Sequence, residues 1–373
     1  MPLDNLSAEA EATLTVDRDV AEHVSRTLAD YLRGRVQECA ELDPAISEAA
    51  EAVSEFVLRG GKRLRPTFAW WGWRAAGQGD RGEEVASMLH AASALELIQT
   101  CALIHDDLID RSDTRRGSPT VHVRFAGTHR DNGYAGDPER FGLAAAVLLG
   151  DLALSWADDM LHSAGLARRA LARGLEPWRA MRTEVLAGQY LDMLGQARAD
   201  DSPETALRID ELKSASYTVE RPLQFGALIG GAEADTVSTL RRFGSDIGVA
   251  FQLRDDLLGV FGDPEVTGKP AGDDLREGKR TVLVAEGMLR AGRRHDEAAS
   301  RLLNSALGDP ELTRSRVELV QEALTRLGAV DAVERRIDDL TESAMSALHS
   351  GELADPAATR LEELAVTVTD RNR

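Results

Sequence analysis

Cysteine is nearly missing from this sequence: Cys39 and Cys101 are the only two, which excludes a disulfide framework and any cysteine-rich zinc site. Aromatic residues make up 5% and strand-like alternation is scarce, so a β-rich architecture is not expected. Positive charge is in deficit, with Lys+Arg 44 against Asp+Glu 63 and a net charge of −19; no nucleic-acid partner is expected for such a surface. No run approaches the roughly 20 apolar residues of a membrane span, and the opening stretch MPLDNLSAEAEATLTVDRDV has neither a basic leader nor an apolar core. The expectation is a cytoplasmic protein with no integral membrane segment. Nucleotide loops are absent as well. The pattern GxxxxGK[ST] fails at Lys62 because residue 56 is Phe, and it fails at Lys269 and Lys279 on glycine spacing and on Pro270 and Arg280.

What the chain does have is helical periodicity. A hydrophobic share of 43% supports a sizeable core, and no Ser/Gly/Pro linker divides the sequence. The reading is an acidic, flexible N-terminal arm over 1–16 and one domain over 17–373. Amphipathic or apolar helices are predicted from Asp17 to Cys39, from Ala45 to Gly60-Gly61, and over 83–112, 141–165, 176–199, 204–230 and 235–261. The fold class that follows is all-α, with helices packed in a bundle. The helix over 83–112 is long, roughly 45 Å at 1.5 Å per residue.

That helix runs into Leu95–Gly117, LELIQTCALIHDDLIDRSDTRRG. Asp106 and Asp110 are four residues apart and share a helix face, with Asp107 beside them. Carboxylates so placed repel unless a cation lies among them. Hard oxygen donors suit Mg²⁺, which completes its shell with waters or substrate phosphates. An acidic cluster alone is as often a solvated face. A second copy, Gln252-Leu-Arg-Asp255-Asp256-Leu-Leu, tilts the balance. Basic residues are local too, at Gly60-Gly61-Lys62-Arg63-Leu64-Arg65 and Arg115-Arg116, which suits a small anionic ligand on an acidic protein. The Gly/Pro/His/Arg-rich stretch from Arg115 to Arg140 reads as a loop and a new helix, a candidate lid.

GGKRLRP at 60–66, DDLID with DTRRGSPTVH at 106–122, and FQLRDDLLGVFGD with GKPAGDDLREGKRT at 251–281 together resemble the trans-polyprenyl diphosphate synthase family, most closely its actinobacterial-type geranylgeranyl diphosphate synthases. The resemblance spans about 55 to 285. It implies an isoprenoid-synthase-type helical bundle around a deep central cavity. It also implies a prenyltransferase that condenses isopentenyl diphosphate with an allylic diphosphate (dimethylallyl, geranyl or farnesyl) through Mg-assisted ionisation, condensation and proton loss. Geranylgeranyl diphosphate is the expected product. On the family pattern Asp106, Asp110 and Asp255 are the ligands of a cluster of three Mg²⁺ ions with substrate bound, and Asp107 and Asp256 support them. Arg115, Lys213 with its neighbour Ser214, Lys269 and Lys279 match groups that grip the allylic diphosphate. Lys62, Arg65 and Arg116 match the isopentenyl diphosphate pocket, and Gln252 the glutamine beside the reacting carbons. Relatives are commonly homodimers.

The sequence departs from that pattern twice. Gln99 stands where many relatives have a histidine near isopentenyl diphosphate, and Gly259 stands where the second motif would carry a third aspartate. The latter keeps open a non-catalytic or partner-dependent subunit. Asp263 and the Asp273-Asp274 pair are candidates to compensate. His105 reads as a structural histidine before a catalytic one. Product length should be set below the acids on the first helix, where Cys101 and Ala102 are small and Ile98 lies a turn deeper. Small residues leave room for a geranylgeranyl chain; farnesyl and longer-chain products are the alternatives, and a class I terpene cyclase would not need Lys62 and Arg65.

Overall fold

In the computed structural model, residues 13–79, 82–263 and 271–369 are described. The chain separates into two compact units, Met1–Pro177 with Pro222–Glu233, and Trp178–Arg221 with Ala234–Arg373. Both are helical, as expected. The described part of the 1–16 segment is helical from residue 13, and Val16 and Asp17 are buried, with Asp17 accepting from Trp70 Nε1 at 2.8 Å.

The first unit begins with Val20–Leu42, started by the Asp19 side chain accepting from the Glu22 amide, a cap that satisfies one of the orphan N–H groups. Its buried residues Val20, Val24, Leu28 and Leu32 recur every four positions and form a single apolar stripe. Pro44–Leu58 follows with the same logic, capped by Asp43 and with Pro at its first position. Leu64–Ala75 is buried almost all round, with Phe68, Trp70, Trp71 and Trp73 inside. The central helix, Gly82–Ile109, is buried on every side through Ala91–Ile98, apolar there except for Ser93 and Glu96, as expected of a helix surrounded by others. Val20–Leu42, Leu64–Ala75 and Pro138–His162 pack against it.

The second unit is built on Ala234–Phe261, against which Ala329–Ser350 and the segment Asp210–Glu220 pack. Leu253, Leu257 and Val260 join a core with Leu283, Leu303, Val320, Leu324 and Ile337. The predicted helix 204–230 is three pieces: Pro203–Ile209, a π-helical turn over Asp210–Glu220, and Arg221–Gly230. A period widened over eleven residues barely changes an apolar pattern, so the sequence could not reveal it. Such widened turns concentrate at functional sites.

Among the described residues, two helices come nearer to a membrane span than the sequence reading allowed. Gly82–Ile109 and Pro138–His162 contain windows of mean hydropathy 1.3 and 1.4, of which 67% and 39% are buried. The first is the core helix just described.

Candidate active site

The central helix of the first unit ends at the predicted acids. The Asp110 amide donates to Asp106 O at 2.8 Å, so the two side chains emerge one turn apart on one face. Arg111 then turns left-handed (φ 55), and Ser112 N donates to Asp107 O at 2.9 Å. Next comes a two-residue ribbon in which Thr114 faces Pro119 and Arg115 faces Ser118. Its loop, Arg116-Gly117, has both residues at positive φ (52 and 71), the mirror-image turn that matches strand twist. The ribbon carries Arg115 back onto the helix end. Arg115 Nε donates to Asp107 Oδ1 at 2.7 Å and Nη2 to Asp106 Oδ2 at 3.3 Å. Thr120 Oγ1 donates to Ser112 O at 2.8 Å, so the start of the predicted lid is pinned.

Asp107 is 1% exposed. Burial pushes its carboxyl up to about 6, against the opposing pull of Arg115, and its Oδ2 has no hydrogen-bond partner. Asp106 is more open. The first aspartate of the pair thus meets solvent and the second is held from behind.

Arginines gather near this end. Gly60 and Gly61 both have positive φ (107 and 129), and Arg116 Nη1 donates to Gly60 O. Burial lowers the Arg116 pKa; Glu96 opposes this, and the charges of Arg63, Arg115 and Arg65 add to it. Lys62 is exposed and Arg65 half-buried. Arg63 does something the motif did not reveal: it turns inward, 5% exposed, and donates to Glu96 Oε2 and Val57 O, each at 2.8 Å. It anchors the turn that presents Lys62. Gln99 is half-buried with Oε1 buried and unpartnered.

His105 is a packing residue. Its Nε2 is 3.3 Å from Val147 O and its Nδ1 3.7 Å from Cys101 Sγ. Gly150 makes the room: a Cβ there would sit 2.2 Å from His105 Nε2. Cys101 and Ile98 are 6% and 2% exposed, and Ala102 is half-buried. Burial pushes the Cys101 thiol up to about 12, so it stays a neutral, small, apolar side chain.

In the second unit, Asp255 is exposed and Asp256 is 3% exposed, the same alternation. Gln252 Nε2 donates to Asp256 Oδ1 at 2.7 Å. Burial holds Asp256 well above the usual carboxylate range, and Asp274 is the neighbouring charge that adds most. Asp210, at the start of the π turn, is raised in the same way by burial and then by Asp256 and Asp192. The Oδ2 atoms of Asp256 and Asp210 are both buried and unpartnered. Lys213 Nζ donates to Asp192 Oδ2 at 2.8 Å. The helices approach closely there, since a Cβ on Gly188 would lie 2.6 Å from Lys213 N. Ser214 is half-buried on the same turn.

Asp192 and Asp210 escaped the sequence reading. Asp192 did leave a signal, as an acid interrupting the run Tyr190-Leu191-Asp192-Met193-Leu194. Lys279 lies on the later loop with Glu277 and with Asp274, whose Oδ1 is 3.8 Å away. Lys269 falls outside the described residues.

Among the described residues no three His, Cys, Asp or Glu side chains group tightly enough to hold a metal alone. That donor set suits Mg²⁺, which takes one or two carboxylates and leaves the rest to water and phosphate. In each unit a more open carboxylate, Asp106 with 18% of its side chain exposed or the exposed Asp255, stands beside a buried one with an unpartnered oxygen, a pairing that suits a hydrated Mg²⁺.

The polyprenyl synthetase family model matches residues 46–325. A geranylfarnesyl diphosphate synthase from Aeropyrum pernix is 33% identical over 303 residues, 76% of this chain and 89% of that protein. A geranylgeranyl diphosphate synthase from Methanosarcina mazei is 32% identical over 317 residues, 83% of this chain and 87% of that protein. Among solved structures, geranylgeranyl pyrophosphate synthase from Corynebacterium glutamicum, complexed with isoprenyl diphosphate and magnesium, superposes with a TM-score of 0.90 at 45% identity, covering 94% of this chain and 98% of that one.

Proposed function

This chain belongs to the polyprenyl synthetase family, and we propose that it makes all-trans geranylgeranyl diphosphate by adding isopentenyl diphosphate to an allylic diphosphate. It is an all-α, magnesium-dependent trans-prenyltransferase. The observation that carries the assignment of roles is in the first unit, where Arg115 reaches the metal-type acids while its neighbour Arg116 turns to Gly60 O beside Lys62. One diphosphate has to leave and the other has to stay. The leaving one needs acids that take up Mg²⁺, and the staying one needs only fixed positive charge.

Asp106, Asp110 and Asp255 would hold the metal, three ions with substrate bound, and Mg²⁺ would offset the charge that builds on the departing diphosphate oxygens. Asp107 and Asp256 support them from buried positions. Lys213, oriented by Asp192, with Ser214, Arg115, Lys269 and Lys279, binds the allylic diphosphate. Lys62, Arg65, Arg116 and Gln99 bind isopentenyl diphosphate. Gln252, tied by its amide nitrogen to Asp256, turns a neutral carbonyl dipole to the allylic cation without offering a strong nucleophile. No side chain is assigned as the base, and the departed diphosphate takes the proton.

Cys101 and Ala102, both small and one turn below Asp106, leave room for the growing chain, and Ile98 a turn deeper sets its floor. Four side chains of Pro138–His162, Phe141, Leu143, Val147 and Leu148, are 40%, 54%, 41% and 68% exposed. This apolar strip supports a homodimer, in a cytoplasmic enzyme that handles no nucleic acid. The test is product analysis of purified protein with Mg²⁺, isopentenyl diphosphate and each allylic primer in turn. A longer prenyl diphosphate and released diphosphate are expected, both lost in Asp106→Ala; no turnover with any primer would end the proposal.

A further inference from the structure

Position 259, where the second acidic motif has glycine in place of a third acid, is not idle space. A Cβ built there would lie 1.9 Å from Asp274 Oδ2 and 2.7 Å from its Cγ. The carboxylate of Asp274 therefore occupies the volume in which a side chain at 259 would begin. Two backbone bonds hold it there: Gly272 N donates to Gly259 O, and Lys279 N to Asp274 O, each at 2.9 Å. The short helix Asp273–Glu277 that carries it is bounded by left-handed Gly272 and Gly278 (φ 78 and 77), a shape that only glycines adopt cheaply. The Asp274 side chain is 14% exposed, with Lys279 Nζ 3.8 Å from its Oδ1. Asp256 stands three residues before Gly259 on the same helix, nearly fully buried, with its Oδ2 unpartnered.

We propose that Asp274 supplies, from the loop after the helix, the third carboxylate of the second acidic motif, and that glycine at 259 is the condition for its entry. The inference rests on the magnesium-dependent prenyl transfer proposed above. It makes Asp274 a positioning residue that acts on metal-bound diphosphate through the aspartates beside it. It also reverses what the repeat pattern suggests. Placing an aspartate at 259 would expel Asp274, because a Cβ at 1.9 Å from oxygen cannot be accommodated and two carboxylates would compete for one place.

The experiment follows the melting temperature of the whole protein with inorganic diphosphate as Mg²⁺ is raised, alongside the Mg²⁺ dependence of turnover. The variants are Asp274→Asn, Gly259→Asp and Gly259→Asp with Asp274→Ala. Asp274→Asn keeps the shape and removes the charge. It should raise the half-saturating Mg²⁺ by about 10-fold or more, the usual cost of losing a partner behind a metal ligand, while the ligand-free melting temperature holds. Gly259→Asp should also weaken Mg²⁺ binding, and the double variant should recover most of it, because the acid then comes from the helix and the space has been cleared. Asp274→Asn with wild-type Mg²⁺ dependence, or Gly259→Asp that binds better than wild type, would overturn the inference. Asp274→Asn decides the matter even if Gly259→Asp does not fold. Wild-type protein with neither diphosphate response nor turnover would instead sink the functional reading itself.

Discussion

Arg254 directly precedes the exposed Asp255, and its side chain does the opposite job. It is 5% exposed, with Nη1 and Nη2 donating to the two carboxylate oxygens of Glu334 at 2.8 Å each and Nε to Thr369 O at 3.2 Å. It thereby ties Ala234–Phe261 to Ala329–Ser350 and to Ala357–Thr369. Glu334→Gln removes the countercharge and turns an amide N–H₂ toward one guanidinium N–H. Breaking a buried pair costs about 3–5 kcal/mol. The Glu334 side chain is 23% exposed, so water recovers part of this, and we expect about 2–3 kcal/mol. For a chain of 373 residues that corresponds to a fall in melting temperature of about 3–4 °C. Arg254→Lys should fall nearly as far, since a lysine cannot make the two-pronged contact. Replacing both partners by Met should cost less than Glu334→Gln alone. Thermal melts of wild type, Arg254→Met, Glu334→Met and the variant carrying both form a double-mutant cycle. A coupling energy below about 0.5 kcal/mol would refute the account, because that is the worth of an ordinary surface bridge. Asp255→Asn is the contrast: it should abolish turnover with little change in melting temperature.

Three further outcomes are expected. Cys101→Phe should shorten the product, read by chromatography of the dephosphorylated prenols, and an unchanged product would remove Cys101 from the control of length. His105→Ala should keep turnover within about threefold, while Gly150→Ala, whose Cβ would sit 2.2 Å from His105 Nε2, should cost about 1–3 kcal/mol by overpacking. Combining the two should recover stability, and failure to do so would show that the imidazole is not what Gly150 accommodates. Leu148→Asp should convert a dimer to monomer in light scattering, and a wild-type monomer would dispose of the apolar strip as an interface.

The helices and the two aspartate pairs were legible because both leave periodic marks: an apolar run of correct length, then acids four apart or adjacent. Within each pair the resemblance set the two aspartates apart, but helical periodicity alone did not show that Asp107 and Asp256 are the buried ones, because that depends on which face the following segment covers. Arg63 shows the limit most clearly. In GGKRLRP nothing gives Arg63 a role of its own, and only the left-handed backbone at 63 (φ 50) and the buried carboxylate of Glu96 show that it points inward. Asp192 and Asp210 were missed as well. Asp210 sits in helical sequence where a carboxylate is unremarkable, and the interruption that Asp192 makes in its apolar run does not name a partner, since Lys213 and Asp256 are distant in the chain. The short ribbon at 114–119 was missed because two residues per strand leave no alternation to detect, although Arg-Arg-Gly marked the turn.

Both acidic helices break the ordinary rule for helix ends in the same way. The C-terminal end of a helix carries partial negative charge and favours Lys, Arg or His, yet Gly82–Ile109 and Ala234–Phe261 have no basic residue in their last turn and gather aspartates in their last two. Each also buries one of those aspartates, at a desolvation cost that raises its pKa. Stability alone would select against this twice over. In each unit the segment after the helix returns a basic residue to the neighbourhood: Arg115 reaches Asp106 and Asp107 in the first, and Lys279, beside Asp274, in the second adds a positive charge that acts on Asp256. One guanidinium or one ammonium does not balance two or three carboxylates at a negative helix end. The remaining imbalance is what a divalent cation arriving with a diphosphate would offset. The destabilising feature and the catalytic one are therefore the same acids, and neutralising Asp106 or Asp255 should leave the fold as stable as before, or more so, while ending turnover.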